Sequence, residues 1–526
     1  MQTSRRTLLA GGAGLAAGAT LPRAGRRPTS ATTQVHADPF TLGVASGDPW
    51  PDGFVLWTRL APDPLAEDGL GGLDGRPAHV LWQVSEDRFF SRVVARGSAE
   101  VSPSTAYAAH VEVRGLRPGR EYWYRFRTGR WFSRVGRTLT SPAPSTLEPR
   151  LTMVVASCSQ LEHGFFTAYR RMAEEQPDLV LHLGDYVYEC APHLVPAGSG
   201  DVREHVGGET FTLADYRRRH AQYKTDSDLQ EAHAAAPWLV VWDDHEISNN
   251  WAANVPDSAT QQEGFAARRW AAMRAYAEHL PLRRTSMPSG GAMRLHRRLA
   301  WGRLANLHLL DTRQYRDDQA CGDGNRVCPQ AAGPRRTMTG DAQERWLLDG
   351  LRRSRARWDV LGQQVFFSRL DRTPTPDLEV SMDHWDGYPA ARDRLVRGWI
   401  ERRVRNPVVL TGDVHSSWAA QVTRDFGDRE AAPVGVEFVC SSITSRGDGE
   451  DTPDGGDEAL AHNAHLDFFN DLRGYLRATL RPDRMEVDFR ALSYVSRPGA
   501  PVFTRRSYLV ADGDRTLHRT ADHPSV

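Results

Sequence analysis

The chain has 526 residues, 40% hydrophobic and 25% charged, with 66 basic and 66 acidic side chains. That length exceeds what one compact core supports, so two or more domains are expected. A formal net charge of zero removes any bulk electrostatic reason to bind nucleic acid or an anionic membrane.

At the N-terminus, Ser4-Arg5-Arg6-Thr7-Leu8-Leu9 opens a small-residue apolar run, LLAGGAGLAAGATL. The run is shorter than the about 20 residues a spanning helix needs. It has the charged and apolar regions of an export signal, and its twin arginines resemble a Tat signal, assigned to residues 1–34. Tat machinery is therefore an expected partner, with the periplasm, the cell wall or the medium as destination. No other segment is long and apolar enough to be transmembrane. Lys224 is the only lysine, a bias expected from genomic base composition, so arginine clusters carry little functional weight. Of the five cysteines, Cys321 and Cys328 flank the polar loop GDGNRV and are the expected disulfide of an exported protein. An odd count leaves at least one thiol, with Cys158 the candidate; the pairing of Cys190 with Cys440 is left open.

From residue 38 to 140, strand-like runs alternate with turns: TLGVASGD, GFVLWTRL, HVLWQVS, AHVEVRG and EYWYRFRTG. This spacing predicts a small all-β sandwich of the immunoglobulin or fibronectin kind. The linker LTSPAPSTLEP, residues 139–149, closes it. Beyond residue 150 the apolar runs LTMVVAS, DLVLHLGD, WLVVWDD, LANLHLLD, WDVLGQQVFF and PVVLTGD recur between helix-like segments such as FFTAYRRMAEEQ. Continuous apolar strands separated by helices predict an α/β architecture over residues 150–495. Residues 496–526 read as a C-terminal extension.

Four of these strands end in polar clusters: Cys158, Gly184-Asp185, Asp243-Asp244-His245 and Gly412-Asp413-Val414-His415. Singly each is weak evidence of function, since a Gly-Asp strand end is often a turn whose carboxylate caps a helix. Together they bring aspartates, histidines, a thiol and the nearby phenol of Tyr188 to strand ends of one sheet, where α/β proteins bind ligands. The combination predicts a metal site.

The order Gly-Asp, then an acidic-His-Glu cluster, then Gly-x-x-His resembles the calcineurin-like metallophosphoesterases. The wording GVASGDPWPDGFVLWTRL, ASC, HLGDYVYE, WDDHE followed by NNW, LDTRQYR, MDHWDGY and LTGDVH resembles their PhoD-type alkaline phosphatase branch, which has a phospholipase D-like side. The resemblance runs from the signal to about residue 495. The general family opens its pattern with Asp-x-His, whereas this strand ends in Ala156-Ser157-Cys158, as in the PhoD branch. It implies an α/β sandwich of mixed sheets flanked by helices, carrying one ferric ion and calcium. Cys158, Asp185, Tyr188 and His415 would hold the iron, a set rich in the anionic donors that suit a trivalent ion. Asp185 would bridge to calcium, with Asp244, Asp413 and Asn249 as further oxygen ligands. Asp244 and Asp413 stand where the general family has Asn and His, and this exchange of nitrogen for oxygen favours calcium. Asp243 would lie behind the ligands.

His245 is the expected catalytic histidine, contacting phosphoryl oxygens or protonating the leaving alkoxide. The competing role is to orient Asp413 or another ligand. The nucleophile would be a hydroxide held by the metals, with Asp185 as their bridge. Arg313 and Arg316 fit either phosphate binding or structural pairing. His384, Trp385, Asp386 and Tyr388 fit either the pocket rim or packing. The acidic stretch 447–458 lacks the spacing of an EF-hand loop and reads as a solvated loop. The function expected is a secreted alkaline phosphatase acting on phosphate monoesters, with diesters left open; the alternatives are a phospholipase D-type phosphodiesterase acting on phospholipids, and a cell-surface binding protein with structural metals.

Overall fold

Short apolar runs buried on both faces set the centre of the fold. The strands Leu151–Ala156, Leu179–His182 and Pro237–Val240 are almost wholly buried and pair in parallel, the pattern of a sheet covered on both sides. In the computed structural model, which describes residues 36–258, 261–371, 378–451 and 456–523, they lie at the middle of a ten-stranded sheet. The twin-arginine segment lies outside the described residues.

A second sheet of seven strands places Ala305–Leu309, Trp358–Gly362, Pro407–Thr411 and Pro433–Val439 in parallel at its centre. The two sheets pack face to face through Val155, Leu181 and Leu239 on one side and Leu307, Val360, Leu410 and Phe438 on the other. Helices cover the outer faces. Thr167–Glu174, Leu213–Lys224 and Phe265–His279 pack on Val154, Val180 and Trp238. Gly340–Arg353 and Pro389–Glu401 pack on Leu361 and Val409. Thr167–Glu174, Gly340–Arg353 and Pro389–Glu401 each bury one stripe of their surface, whereas Leu213–Lys224 and Phe265–His279 are buried over most of theirs. The layers are therefore helix, sheet, sheet, helix.

The N-terminal all-β region differs from the separate sandwich expected over 38–140. Ala78–Ser85, Val93–Val101 and Glu121–Thr128 form the core of a five-stranded sheet. Val44–Trp50, Gly53–Arg59 and Ala108–Val113 instead continue the ten-stranded sheet, because Val44–Trp50 pairs in parallel with Pro237–Val240. The five-stranded sheet packs on that end through Val80, Val84, Tyr122, Tyr124 and Phe126 against Phe54, Leu56 and Val111. At the opposite edge, Val502–Ala511 and His518–Asp522 pair antiparallel in the same large sheet. Residues expected to form an appended extension are thus woven into the sheet. Long-range strand pairing made both differences, and no local propensity encodes it.

Candidate metal centre

Two motif glycines let the strand ends converge. Gly184 has φ +106°, and a Cβ there would lie 2.4 Å from Asp243 Cβ and 2.5 Å from its backbone nitrogen. At Gly412 an added Cβ would meet Ser157 Oγ at 2.7 Å. Only glycine permits these approaches. Cys158, Asp185, Asp413 and His415 all adopt left-handed backbone, with φ of 61°, 53°, 66° and 59°. Non-glycine residues rarely do so, and such strain gathers at functional sites.

The loops are tied together from behind. Cys158 N–H donates to the Gly184 carbonyl at 3.1 Å and Ile443 N–H to that of Ser157 at 3.0 Å. The Glu246 carboxylate accepts the backbone N–H groups of Asp185 at 3.0 Å, Asp243 at 2.7 Å and Tyr186. Burial, with the charge of Asp244 added, still pushes Glu246 up to about 7.

On this scaffold the sequence-predicted ligands meet. Donor atoms of Cys158, Asp185 and His415 lie within 4.8 Å of one another. The Tyr188 hydroxyl donates to Asp185 Oδ2 at 2.9 Å and lies 3.2 Å from His415 Nε2. Asp185 also groups with Asp244 and His245, and Asp244 in turn with Asp243 and Asp413. Asn249 lines the same cavity of about 290 Å³ with Asp185, Asp244, His245, Asp413 and His415. Its backbone N–H is held by Glu189 Oε1 at 2.7 Å.

These donors fit a cation. Burial first, and then the charge of Asp244, raise the Asp185 carboxyl far above its ordinary range. Burial and the Asp185 charge likewise push up the Cys158 thiol and the Tyr188 phenol. His415 Nδ1 and Asp243 Oδ2 are buried with no hydrogen-bond partner among the described residues. Anionic donors crowded in a water-poor site, with polar atoms unmatched, are what a bound cation relieves.

His245 Nδ1 donates to Glu189 Oε2 at 2.8 Å, and its ring stacks on Tyr188 with centroids 4.2 Å apart. Its Nε2 lies 4.0 Å from Asp244 Oδ2. Among the described residues no hydrogen bond or ion pair joins it to Asp413, whose Oδ2 is held by His384 Nε2 at 3.1 Å.

Arg313 is wholly buried. Its guanidinium holds Asp383 at 2.8 and 2.9 Å, pairs with Asp243, and lies 3.3 Å from Asp244 Oδ1 and from Asp413 Oδ1. Arg316 pairs with Asp383 at 2.6 Å. Both arginines therefore pair structurally. Trp385 and Tyr388 are packed in the core, while Asp386 pairs with Arg392 at 2.7 Å. Cys321 and Cys328 form the disulfide, and Cys158, Cys190 and Cys440 are free and buried. Residues 452–455 of the acidic stretch lie outside the described residues.

Sequence reasoning gave no role to Glu189, Glu246, Asp383, Ser445 or Arg446. The first three sit inside the quoted motifs YVYE, DDHE and MDHW, so a carboxylate flanking a ligand was the available signal. Ser445 and Arg446, in the unremarked stretch SSITSRG, carried none.

Two packed mixed sheets with carboxylate, thiol, phenol and imidazole donors at the carboxyl ends of their parallel strands define a metallophosphoesterase-type hydrolase. The family model of the PhoD-like phosphatases matches residues 153–489, and that of their N-terminal domain matches residues 26–142. The chain belongs to the PhoD-like phosphatases, metal-dependent hydrolases of phosphoric esters. It is 47% identical to alkaline phosphatase D of Bacillus subtilis strain 168 over 511 residues, 97% of this chain and 87% of that one. A solved structure of PhoD superposes with a TM-score of 0.91 at 47% identity, covering 93% of this chain and 94% of that chain. Among the described residues no helix is long and apolar enough to cross a membrane.

Proposed function

We propose that the chain is an exported alkaline phosphatase that hydrolyses phosphate monoesters at a ferric–calcium centre. The observation that carries this reading is the convergence of Cys158, Asp185, Tyr188 and His415 beside the carboxylates of Asp185, Asp244 and Asp413. Thiolate, phenolate, carboxylate and imidazole suit ferric iron; the neighbouring all-oxygen set, with Asn249, suits calcium. Bound there, the two cations supply Lewis acidity to the phosphoryl group and acidify water.

The chain's own residues do the rest. Asp185 belongs to both donor sets and would serve as a ligand to both cations. Glu189 fixes the His245 tautomer by accepting the Nδ1 proton, which leaves Nε2 as the reacting nitrogen. Burial opposes charge on that imidazole, but the carboxylates of Glu189, Asp244 and Asp185 raise its pKa well above the ordinary value. His245 is the residue that would pass a proton to the departing alkoxide through Nε2. Arg313 fixes Asp243, Asp244 and Asp413 in one arrangement. Residues 1–34 are read as the Tat signal, 38–140 as the N-terminal β domain and 150–495 as the catalytic domain.

Colour tests the metal assignment. Protein purified with its native metals is expected to absorb visible light through phenolate- or thiolate-to-iron charge transfer, and Tyr188→Phe is expected to shift or bleach that band. A colourless, iron-free protein of full activity would overturn the iron site.

A further inference from the structure

Among the described residues sixteen line the cavity, and Arg446 is the one arginine or lysine of these. Five of the others are aspartates: Asp185, Asp244, Asp323, Asp383 and Asp413. The arginine behind this wall, Arg313, is consumed by carboxylates and reaches no solvent. Arg446 differs in every respect. Its side chain is exposed, and among the described residues its guanidinium makes no hydrogen bond or ion pair.

Its backbone, in contrast, is fixed. Arg446 has φ 75°, its N–H donates to His163 Nδ1 at 2.9 Å, and its carbonyl accepts from Gly198 N–H at 3.3 Å. The preceding Ser445 donates through Oγ to the Cys158 carbonyl at 2.9 Å and lies 2.7 Å from the Tyr188 hydroxyl. The buried Arg473 guanidinium clamps the Ser445 carbonyl at 3.0 Å, and Thr444 Oγ1 donates to the Gln160 carbonyl at 2.7 Å. A strained, non-glycine residue on a segment stitched to the ligand loops carries a free cation into an acidic cavity. Such an arrangement has a cost in the free protein and a use only when an anion arrives.

We infer that Arg446 binds the phosphoryl group of the substrate and selects phosphate monoesters over diesters. At alkaline pH a monoester carries two negative charges over three terminal oxygens. A diester carries one charge over two, with an ester arm in place of the third. The planar guanidinium matches a pair of phosphate oxygens and is always charged, so it favours the dianion twice, by charge and by shape. The inference rests on the phosphomonoester reading above and adds the residue that would enforce it.

The test uses the metal-loaded enzyme, wild type, Arg446→Gln and Arg446→Lys, with para-nitrophenyl phosphate, bis-para-nitrophenyl phosphate and inorganic phosphate as competing inhibitor. Losing a charge-assisted contact to the dianion is expected to lower kcat/KM for the monoester about ten- to a hundredfold and to weaken phosphate inhibition comparably. The diester value should fall less than about threefold, and Arg446→Lys should recover part of the monoester loss by keeping the charge. Equal losses on both esters, or no loss on either, would overturn the inference. A wild-type enzyme that prefers the diester would overturn the monoester reading itself, and phosphate inhibition of Arg446→Gln then still reports whether Arg446 holds the phosphoryl group.

Discussion

Asp185 belongs to both groups of candidate ligands, that of Cys158 and His415 and that of Asp244 and His245. Its carboxylate accepts from Tyr188 and from the His245 N–H at 3.3 Å, while its backbone N–H is held by Glu246. Asp185→Asn keeps the shape and removes the charge between the two donor sets. We expect kcat/KM to fall at least about a thousandfold while the fold survives. Turnover near the wild-type rate would remove Asp185 from the bridging position. Glu189 acts on two neighbours at once, the His245 imidazole and the Asn249 backbone. Although burial favours its neutral form, the His245 charge and hydrogen bond hold Glu189 below its ordinary range, so it serves as an anion. Glu189→Gln should cost about ten- to a hundredfold in activity, the usual range for a partner that orients a reacting group. Assaying metal content beside kcat separates the two effects. Lost turnover with full metal content points to His245, and lost metal points to Asn249.

Among the elements, the helix Leu213–Lys224 ties the site to the fold. It opens with a capping box, Thr212 Oγ1 accepting from Asp215 N–H while the Asp215 carboxylate accepts from Thr212 N–H. From its buried face Arg219 reaches the carbonyls of Tyr188 and Cys190, so the helix anchors the loop that carries Tyr188 and Glu189. The last residue, Lys224, is the chain's single lysine and is buried. Its Nζ lies 4.3 Å from the centroid of the Trp57 ring and 3.3 Å from His233 Nε2. Burial alone pulls its pKa well below that of a free amine. Lys224→Met keeps the length of the side chain and removes an amine that no carboxylate pairs among the described residues. It should stabilise the fold by about 1 kcal/mol, read as a higher urea midpoint at constant m. A lower midpoint would mean that the bond to His233 outweighs the cost of desolvating the amine. Elements of this kind were partly legible beforehand. Apolar runs such as LTMVVA and PVVLT announced parallel strands because burial on both faces leaves no polar position. Alternating strands such as Glu121–Thr128 announced a half-covered sheet, yet nothing in Val44–Trp50 announced which sheet it would join.

At the scale of the whole molecule, buried imidazoles set the response to acid. Burial lowers His182 and His220 to about 3 and His110 and His465 to about 4. In the unfolded chain each titrates near the ordinary value of about 6.5. Below that pH the unfolded state takes up protons that the folded state refuses. The stability these groups support is present in full above about pH 6.5 and is lost as pH falls toward 4 and 3, by about 1.4 kcal/mol per histidine per pH unit inside the window. Urea midpoints should be flat between pH 7 and 8 and fall steeply below about 6; a midpoint that holds to about pH 4 would contradict this account. The sequence by itself determined the chemistry and the class of fold. Runs of apolar residues, and the strand ends Cys158, Gly184-Asp185, Asp244-His245 and Gly412-Asp413-Val414-His415, are local statements that a linear reading recovers. Tertiary structure decided what depends on separate segments meeting. It joined Val44–Trp50 and residues 502–522 to the catalytic sheet, paired Arg313 in the core with Asp243 and Asp383, and brought Arg446 to a cavity whose other described walls are 31 to 261 residues away in sequence. Close packing and long-range hydrogen bonding select such partners by shape and charge in three dimensions, and neither is written in the order of neighbouring residues.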